Sequence, residues 1–540
     1  MDRSVQLRRA RMFLIVLRNR ILSNSEGEHG GSELTDVKAL VGALTLEEKA
    51  ALTSGEDLLS TVAVERLGIP KVHVTDGPNG ARGNSLPGMA SDPSICIPCG
   101  SALGATWNPV LVETLGALVG KEARDRGCRG LLAPTVNLHR SPLAGRNFEC
   151  YSEDPLLSGR LAAGYVRGVQ SEGVFATVKH FVGNDAEFER ASISSVIDER
   201  SLRELYLVPF EIAVSEGGAL AIMTAYNRLN GRWLTQRAEF LLGILRDEWG
   251  FEGLVMTDWF AVTDTKVSLG AGLDLEMPGP ARGLGSTVLD AIKKGDVDEA
   301  DLDAAVGRLL GAFDRIGVLD GPAPEPEPKA PTAGDVALLR RAASEATVLL
   351  SNDGVLPLAS SAGRIALLGA SALTPTIMGG GSAQVTPHHV TSVVDALAQA
   401  LGPDRTLVYE RGCEPSLSPA VVGGAVLRSP DGFLAETYAG LSFEGPVTET
   451  QMLNELRMMK IGLSVEPSVG DWSMRVTGTV VPEETSVFEL ALAQAGLARL
   501  LVNDEVVLDG FTNRPPPGDN FPNPYAKRTS AMIYKLNYRA

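Results

Sequence analysis

Cysteine is scarce. The chain has five in 540 residues, Cys96, Cys99, Cys128, Cys150 and Cys413. A scattered, odd-numbered set makes no disulfide framework and fits a reducing compartment. The CIPC pair at 96–99 invites a zinc or redox reading, but structural zinc wants four ligands and no second CxxC follows. Basic residues are also in deficit, 49 Lys and Arg against 66 Asp and Glu, giving a formal charge of −17. That balance repels a phosphate backbone, so no nucleic-acid partner is expected. Long apolar runs are missing. MFLIVL near the amino terminus follows basic residues as in a secretory signal, yet it is shorter than the roughly 7–15 residues of an h-region and Arg18 ends it. No span free of charge is long enough for a membrane, and no N-x-Ser/Thr sequon occurs. A cytoplasmic protein with no membrane partner is the expectation. The six histidines form no HExxH, His388 and His389 lie in a loop of the second domain, and no GxSxG elbow occurs. Neither a metal nor another cofactor is expected.

What is present is an alternation. From about residue 40 to 318, apolar runs (PKVHVTDGPNG, RGLLAPTVNLHRS, FATVKHFVGND, ALAIMTAYNRLNG, GLVMTDWF) are separated by helical patterns such as PLLSGRLAAGYVRGVQSEG and RSLRELYLVPFEIAVSEG. This rhythm predicts α/β architecture with a parallel, (β/α) barrel-like sheet. The segment 319–335, LDGPAPEPEPKAPTAGD, reads as an exposed Pro-rich linker. Helix and strand patterns resume over 336–415 as a partial α/β domain, and from 416 to 540 the texture becomes that of an all-β sandwich with a loop-rich tail. Residues 1–39 form an amino-terminal extension.

Each of the five barrel runs ends in polar residues: Asp76, Asn137, Lys179 with His180, Tyr226 with Asn227, and Asp258. One such Asp is ordinarily a cap or turn former. In a parallel barrel, however, all carboxyl ends meet at one face. Two carboxylates, the cations Arg82, Arg146, Lys179 and His180, and the aromatics Tyr226 and Trp259 form a set suited to a sugar. Forked charged groups grip vicinal hydroxyls and a flat ring covers the apolar sugar face. Singly, each has a plain structural reading: Arg146 with Glu153 as a surface pair, Met223 and Tyr226 as core, Trp259 as filling.

The runs KHFVGNDAEFER, DERSLRELYLVPFE, IMTAYNRLNG, LRDEWGFEGLVMTDWFAV and AGLDLEMPGP, preceded by TDGPNGAR and AGRNFECYSEDP, resemble glycoside hydrolase family 3, β-glucosidase branch, block after block. The resemblance implies Asp258 as the nucleophile of a retaining hydrolase acting on a β-glucoside or oligosaccharide. It implies that Asp76, Arg82, Arg146, Lys179 and His180 bind the glucosyl hydroxyls, that Met223 and Tyr226 line the pocket, that Trp259 walls the leaving-group side and that Ser382 is lent by the second domain. The N-acetylglucosaminidase branch is disfavoured, because no histidine lies between His180 and His388.

A retaining glycosidase needs a second carboxyl roughly 5–5.5 Å from the first. Lys179, His180 and Arg146 are expected to hold Asp258 ionised by lowering its pKa. In the family the acid/base Glu follows an inserted β-sandwich of the protective-antigen type, and no Glu after Asp258 matches that segment. The expectation is therefore an incomplete version of a longer enzyme with impaired protonation. The alternatives are a partner polypeptide that supplies the rest, or substitution by Glu153 or Glu187. Unpaired sheet edges would favour poor stability or homo-oligomers. The second hypothesis is a catalytically silent carbohydrate-binding protein.

Overall fold

The structure, a computed structural model, describes residues 36–83, 91–262, 264–321, 326–359, 362–413, 422, 427–456, 472–482, 487–495, 497–512 and 529–537. The MFLIVL patch and the RPPPGDNFPNPYAKR stretch of the tail lie outside the described residues.

Five short strands form one parallel sheet: β1 (His73–Asp76), β2 (Cys128–Leu132), β3 (Phe175–Phe181), β4 (Ala221–Thr224) and β5 (Leu254–Thr257), paired in that order. Every residue of β3, β4 and β5 is buried, as expected of a parallel sheet covered on both faces. The sheet's two edges are joined by irregular segments. Beyond β5, Asp274 N–H donates to the Val255 carbonyl at 3.0 Å and Thr257 N–H to that of Leu275 at 3.0 Å. Gly55 N–H then reaches the Glu276 carbonyl at 2.9 Å, and Val74 N–H in β1 reaches that of Leu59 at 2.8 Å. The five apolar runs each supply one strand of this sheet, and among the described residues single bridges continue the pairing at its edges.

Helices between the strands start where the sequence announces them. Asn108 and Asp154 accept the N–H of Leu111 and Leu157, and Pro109 and Pro155 occupy the first turn, where a missing N–H costs nothing. Helices Pro109–Asp125 and Pro155–Ser171 lie so close that a methyl group at Gly168 would overlap the Glu113 backbone. The pattern RSLRELYLVPFEIAVSEG does not fold as one regular helix. Pro209 has no N–H to give, and a wide turn over Leu202–Tyr206, closed by Leu207 N–H to the Leu202 carbonyl at 2.9 Å, precedes helix Val208–Ser215.

After the linker, helix Ala333–Glu345 begins at a capping box formed by Thr332 and Asp335. Strands Arg364–Leu368 and Thr406–Glu410 pair in parallel, with helix Val393–Leu401 between them in sequence. From residue 427 all described pairing is antiparallel except for local turns, with Phe433–Ala439 between Val447–Leu453 and Trp472–Gly478. The second α/β region leaves apolar side chains in solvent: Leu350 is 91% exposed and Leu368 71%, and Val348 and Leu349 are exposed beside them. Exposed apolar area of this kind drives association. Light scattering of the chain alone should therefore show mass rising with concentration, and Leu350→Asp should lower that rise. A concentration-independent monomer would contradict the expectation. Among the described residues no helix is long and apolar enough to cross a membrane.

Candidate active site

Asp76 is the last residue of β1, and the loop after it is held from behind. The buried Tyr165 hydroxyl donates to the Gly77 carbonyl at 3.1 Å. Arg82 returns its guanidinium to Asp76 Oδ2, while Lys179 Nζ from β3 stands 3.6 Å from Asp76 Oδ1. The carboxylate thus sits between two buried cations. Burial pulls the Lys179 ammonium below its usual value, against the attraction of Asp76 and Glu149.

Arg146 arrives on the loop after β2. Its Nε donates to Glu149 Oε1 at 2.5 Å, and Thr135 Oγ1 donates to Glu149 Oε2 at 2.8 Å. The surface pair with Glu153 is not formed: Glu153 is exposed, and Glu149, three residues on, is the partner. Burial works against the charge on Arg146, but Glu149 and Glu187 outweigh it and hold the guanidinium firmly protonated. From the second α/β region, the turn Gly381–Ala383 reaches the same place. Arg82 Nη1 donates to the Ser382 carbonyl at 2.7 Å, and Arg146 Nη2 approaches Ser382 Oγ at 3.3 Å.

Lys179 and His180 lie within β3, not after it, and the peptide bond between them is cis. Asn137 is used at both ends: its Nδ2 donates to the His180 carbonyl at 3.0 Å, so its Oδ1 accepts from His180 N at 2.9 Å and from Nδ1 at 3.2 Å. His180 Nε2 is then left as an acceptor, 3.5 Å from Asp258 Oδ2. Burial, reinforced by Arg146, Lys179 and Arg190, drives the imidazole well below its ordinary pKa and keeps it neutral.

Asp258 follows β5 directly. Its Oδ1 accepts the Trp259 N–H at 2.7 Å, and the indole Nε1 is tied to the Leu58 carbonyl at 2.9 Å. Oδ2 is buried without a hydrogen bond of ordinary geometry, 3.5 Å from His180 Nε2, and the Tyr226 phenol is a further polar neighbour of the carboxyl group. The expected lowering of the Asp258 pKa is not what the structure gives. Burial raises it, and Arg190, Arg146 and Lys179 only reduce the rise. The expectation counted His180 as a cation, which it is not, and omitted the cost of leaving water.

Tyr226 lies two residues beyond β4 and its hydroxyl is pushed well up by burial and by Asp258. Met223 is enclosed in the apolar core at the register of Met256, without a polar contact to the site. Arg190 was not picked out from the sequence. Its guanidinium lies 4.6 Å over the Tyr226 ring and pairs with Glu187 at 2.7 Å. A small cleft beside Arg146 is lined by Asn137, Leu138, Asn147, Asp185 and Glu187. Burial pushes the Asp185 carboxyl up to about 6. Of the two candidate proton donors, Glu153 is exposed, and Glu187 is clamped by a cation. Cys96 and Cys99 are free thiols, and among the described residues no group of three or more His, Cys, Asp or Glu could hold a metal ion.

Two carboxylates, one with an oxygen that has no hydrogen bond, stand with the buried cations Arg82 and Lys179, the half-buried Arg146 and a neutral imidazole, and suit hydroxyl recognition and attack on an electrophilic carbon. Residues 32–312 match the model of the glycosyl hydrolase family 3 N-terminal domain, and residues 347–505 that of its C-terminal domain. The chain belongs to glycosyl hydrolase family 3. A relative named beta-glucosidase from Rhizobium radiobacter is 44% identical over 475 residues, covering 87% of this chain and 57% of the relative. A probable beta-glucosidase I from Neosartorya fischeri is 38% identical, with 89% and 57% covered. The crystal structure of beta-glucosidase from Kluyveromyces marxianus matches with a TM-score of 0.84 at 32% identity, over 94% of this chain and 62% of that one. Its glucose complex gives 0.81 at 34% identity over 93% and 62%. Beta-glucosidase 3B from Thermotoga neapolitana, in complex with glucose, gives 0.64 at 35% identity, over 69% and 55%. The chain thus spans 57% of the length of these curated relatives.

Proposed function

We propose that the chain carries the glucose-binding and nucleophile half of a retaining, exo-acting β-glucosidase, releasing terminal β-D-glucose from a β-glucoside or oligosaccharide through a glucosyl ester of Asp258. The open Oδ2 carries this reading. One carboxylate oxygen is fixed by a backbone N–H while the other is buried with no ordinary hydrogen bond, leaving a lone pair for the anomeric carbon. Asp76, flanked by Arg82 and Lys179, and the acceptor face of His180 are suited to the sugar hydroxyls. Arg146 and the Ser382 hydroxyl would add donors from the opposite wall, and Trp259 would border the aglycone. Met223 and Tyr226 would complete the pocket below the ring. The beta-glucosidase names of the relatives and the glucose complexes among the similar structures support the same substrate class.

In the first step the Asp258 Oδ2 to C1 bond forms as the bond from C1 to the aglycone oxygen breaks. A good leaving group departs as its anion and needs no proton, whereas an alkoxide must be protonated. Glu153 is exposed and Glu187 is paired with Arg190, and the reading includes impaired protonation of the leaving group. The chain should release one equivalent of 2,4-dinitrophenol rapidly from its aryl glucoside, while methyl β-glucoside and cellobiose turn over at least about a hundredfold more slowly. Glucose binding without any phenol burst or covalent label would instead support a catalytically silent carbohydrate-binding protein.

A further inference from the structure

The loop after β3 carries a cation that the proposed sugar grip does not use. Arg190 Nη1 pairs with Glu187 Oε2 at 2.7 Å, its guanidinium stacks 4.6 Å over the Tyr226 ring, and its Nε is buried without a hydrogen-bond partner. The loop is shaped to deliver it. Ser195 Oγ donates to the Gly183 carbonyl at 2.7 Å, and Glu189, just before Arg190, takes a left-handed φ of 46°. The Glu189 carbonyl then accepts the N–H groups of Ser192 and Ile193 at 2.7 and 2.8 Å. A side chain other than Gly is rarely held in that conformation unless the surroundings impose it.

We propose that Arg190 is a positioning residue for Asp258: clamped by Glu187 and stacked on Tyr226, it supplies the nucleophile's counter-charge and fixes the phenol beside it. The inference rests on the reading of Asp258 as the attacking group. The other two cations facing Asp258 are committed elsewhere, Arg146 to the buried Glu149 and Lys179 to Asp76. His180, the third basic neighbour, is neutral. Glu187, the counter-ion of Arg190, is 25% exposed against 1% for Glu149, so water screens it more and more of the Arg190 field is left for Asp258. In keeping with this, Arg190 is the foremost of the cations that oppose the upward push of burial on the Asp258 carboxyl. A planar guanidinium can stack on the ring and pair with a carboxylate at once, which an ammonium does less well.

The test is the pH profile of covalent labelling by 2,4-dinitrophenyl 2-deoxy-2-fluoro-β-D-glucoside, in the full chain as wild type, Arg190→Gln and Arg190→Lys. Asp258 must be ionised to attack, so losing the cation should move the acidic limb upward by about one pH unit and slow labelling about tenfold below it. Arg190→Lys should return the limb toward the wild-type position while leaving Tyr226 less well held. A residue that served folding alone would reduce the labelled fraction or the melting temperature with the limb unmoved, and that result would overturn the proposal. A second readout needs no chemistry: the carboxyl-¹³C titration of Asp258, assigned by its loss in Asp258→Asn. If it shifts upward in Arg190→Gln although no chain takes the label, the Arg190 inference stands and the hydrolase reading fails. If labelling proceeds and neither measurement shifts, the hydrolase reading stands and the Arg190 inference fails.

Discussion

Asp258→Asn should abolish the phenol burst and the fluoroglucoside label, lowering the rate of both by a factor on the order of 10³ or more, as removal of an attacking group does elsewhere. Asn keeps the size of the side chain and an oxygen able to accept the Trp259 N–H, so the site should keep its shape. What it loses is the ionised oxygen facing His180. A retained burst would remove Asp258 from the chemistry. The same variant should unfold no earlier than the wild type at neutral pH. The fold raises the Asp258 pKa, so its contribution to stability is full below the unfolded value and is lost as pH rises through the folded one. At pH 7 the ionised group is a cost that Asn removes, and a markedly lower melting temperature would point to a structural role.

Asp274→Ala should have the opposite character, costing about 3–5 kcal/mol of stability, the loss expected when one member of a buried ion pair is removed. Asp274 is fully buried and both of its oxygens are used. Oδ2 accepts from Val255 N at 2.7 Å and from Arg246 Nη2 at 2.9 Å, and Oδ1 accepts from Arg308 at 2.8 Å. Its removal leaves two guanidinium groups without their carboxylate and an N–H of β5 without a partner. Since β5 delivers Asp258 to the site, labelling should fall along with the folded fraction. Urea unfolding followed by far-ultraviolet circular dichroism measures this, and an unchanged midpoint would refute it. The contrast is instructive: Asp258 keeps an unsatisfied oxygen at a stability cost, while Asp274, sixteen residues later in a similar apolar run, satisfies every lone pair it has room for.

Much of the site could be read from the chain because a parallel sheet sends its strand ends to one face. Asp76, Lys179, His180, Tyr226 and Asp258 needed only that rule to be grouped. Ser382, more than a hundred residues away, was legible through the family blocks and not through periodicity. Arg190 was not legible, because a cation in an irregular loop gives no periodic signal and nothing local tells which way it turns. Glu149 was within the quoted GRNFE block, but charge alone could not choose between it and Glu153. The helix expected around Pro209 was misjudged as regular because apolar spacing carries no record of the missing N–H.

The sequence by itself determined the α/β alternation, the family and which residue types would meet at the strand ends, since these depend on local pattern and chain order. Only the tertiary structure decided the protonation of the site. Burial neutralises His180 and raises Asp258 against three cations. Such shifts depend on how much water is excluded and which charges remain within a few ångströms, and neither quantity exists until the strands have packed.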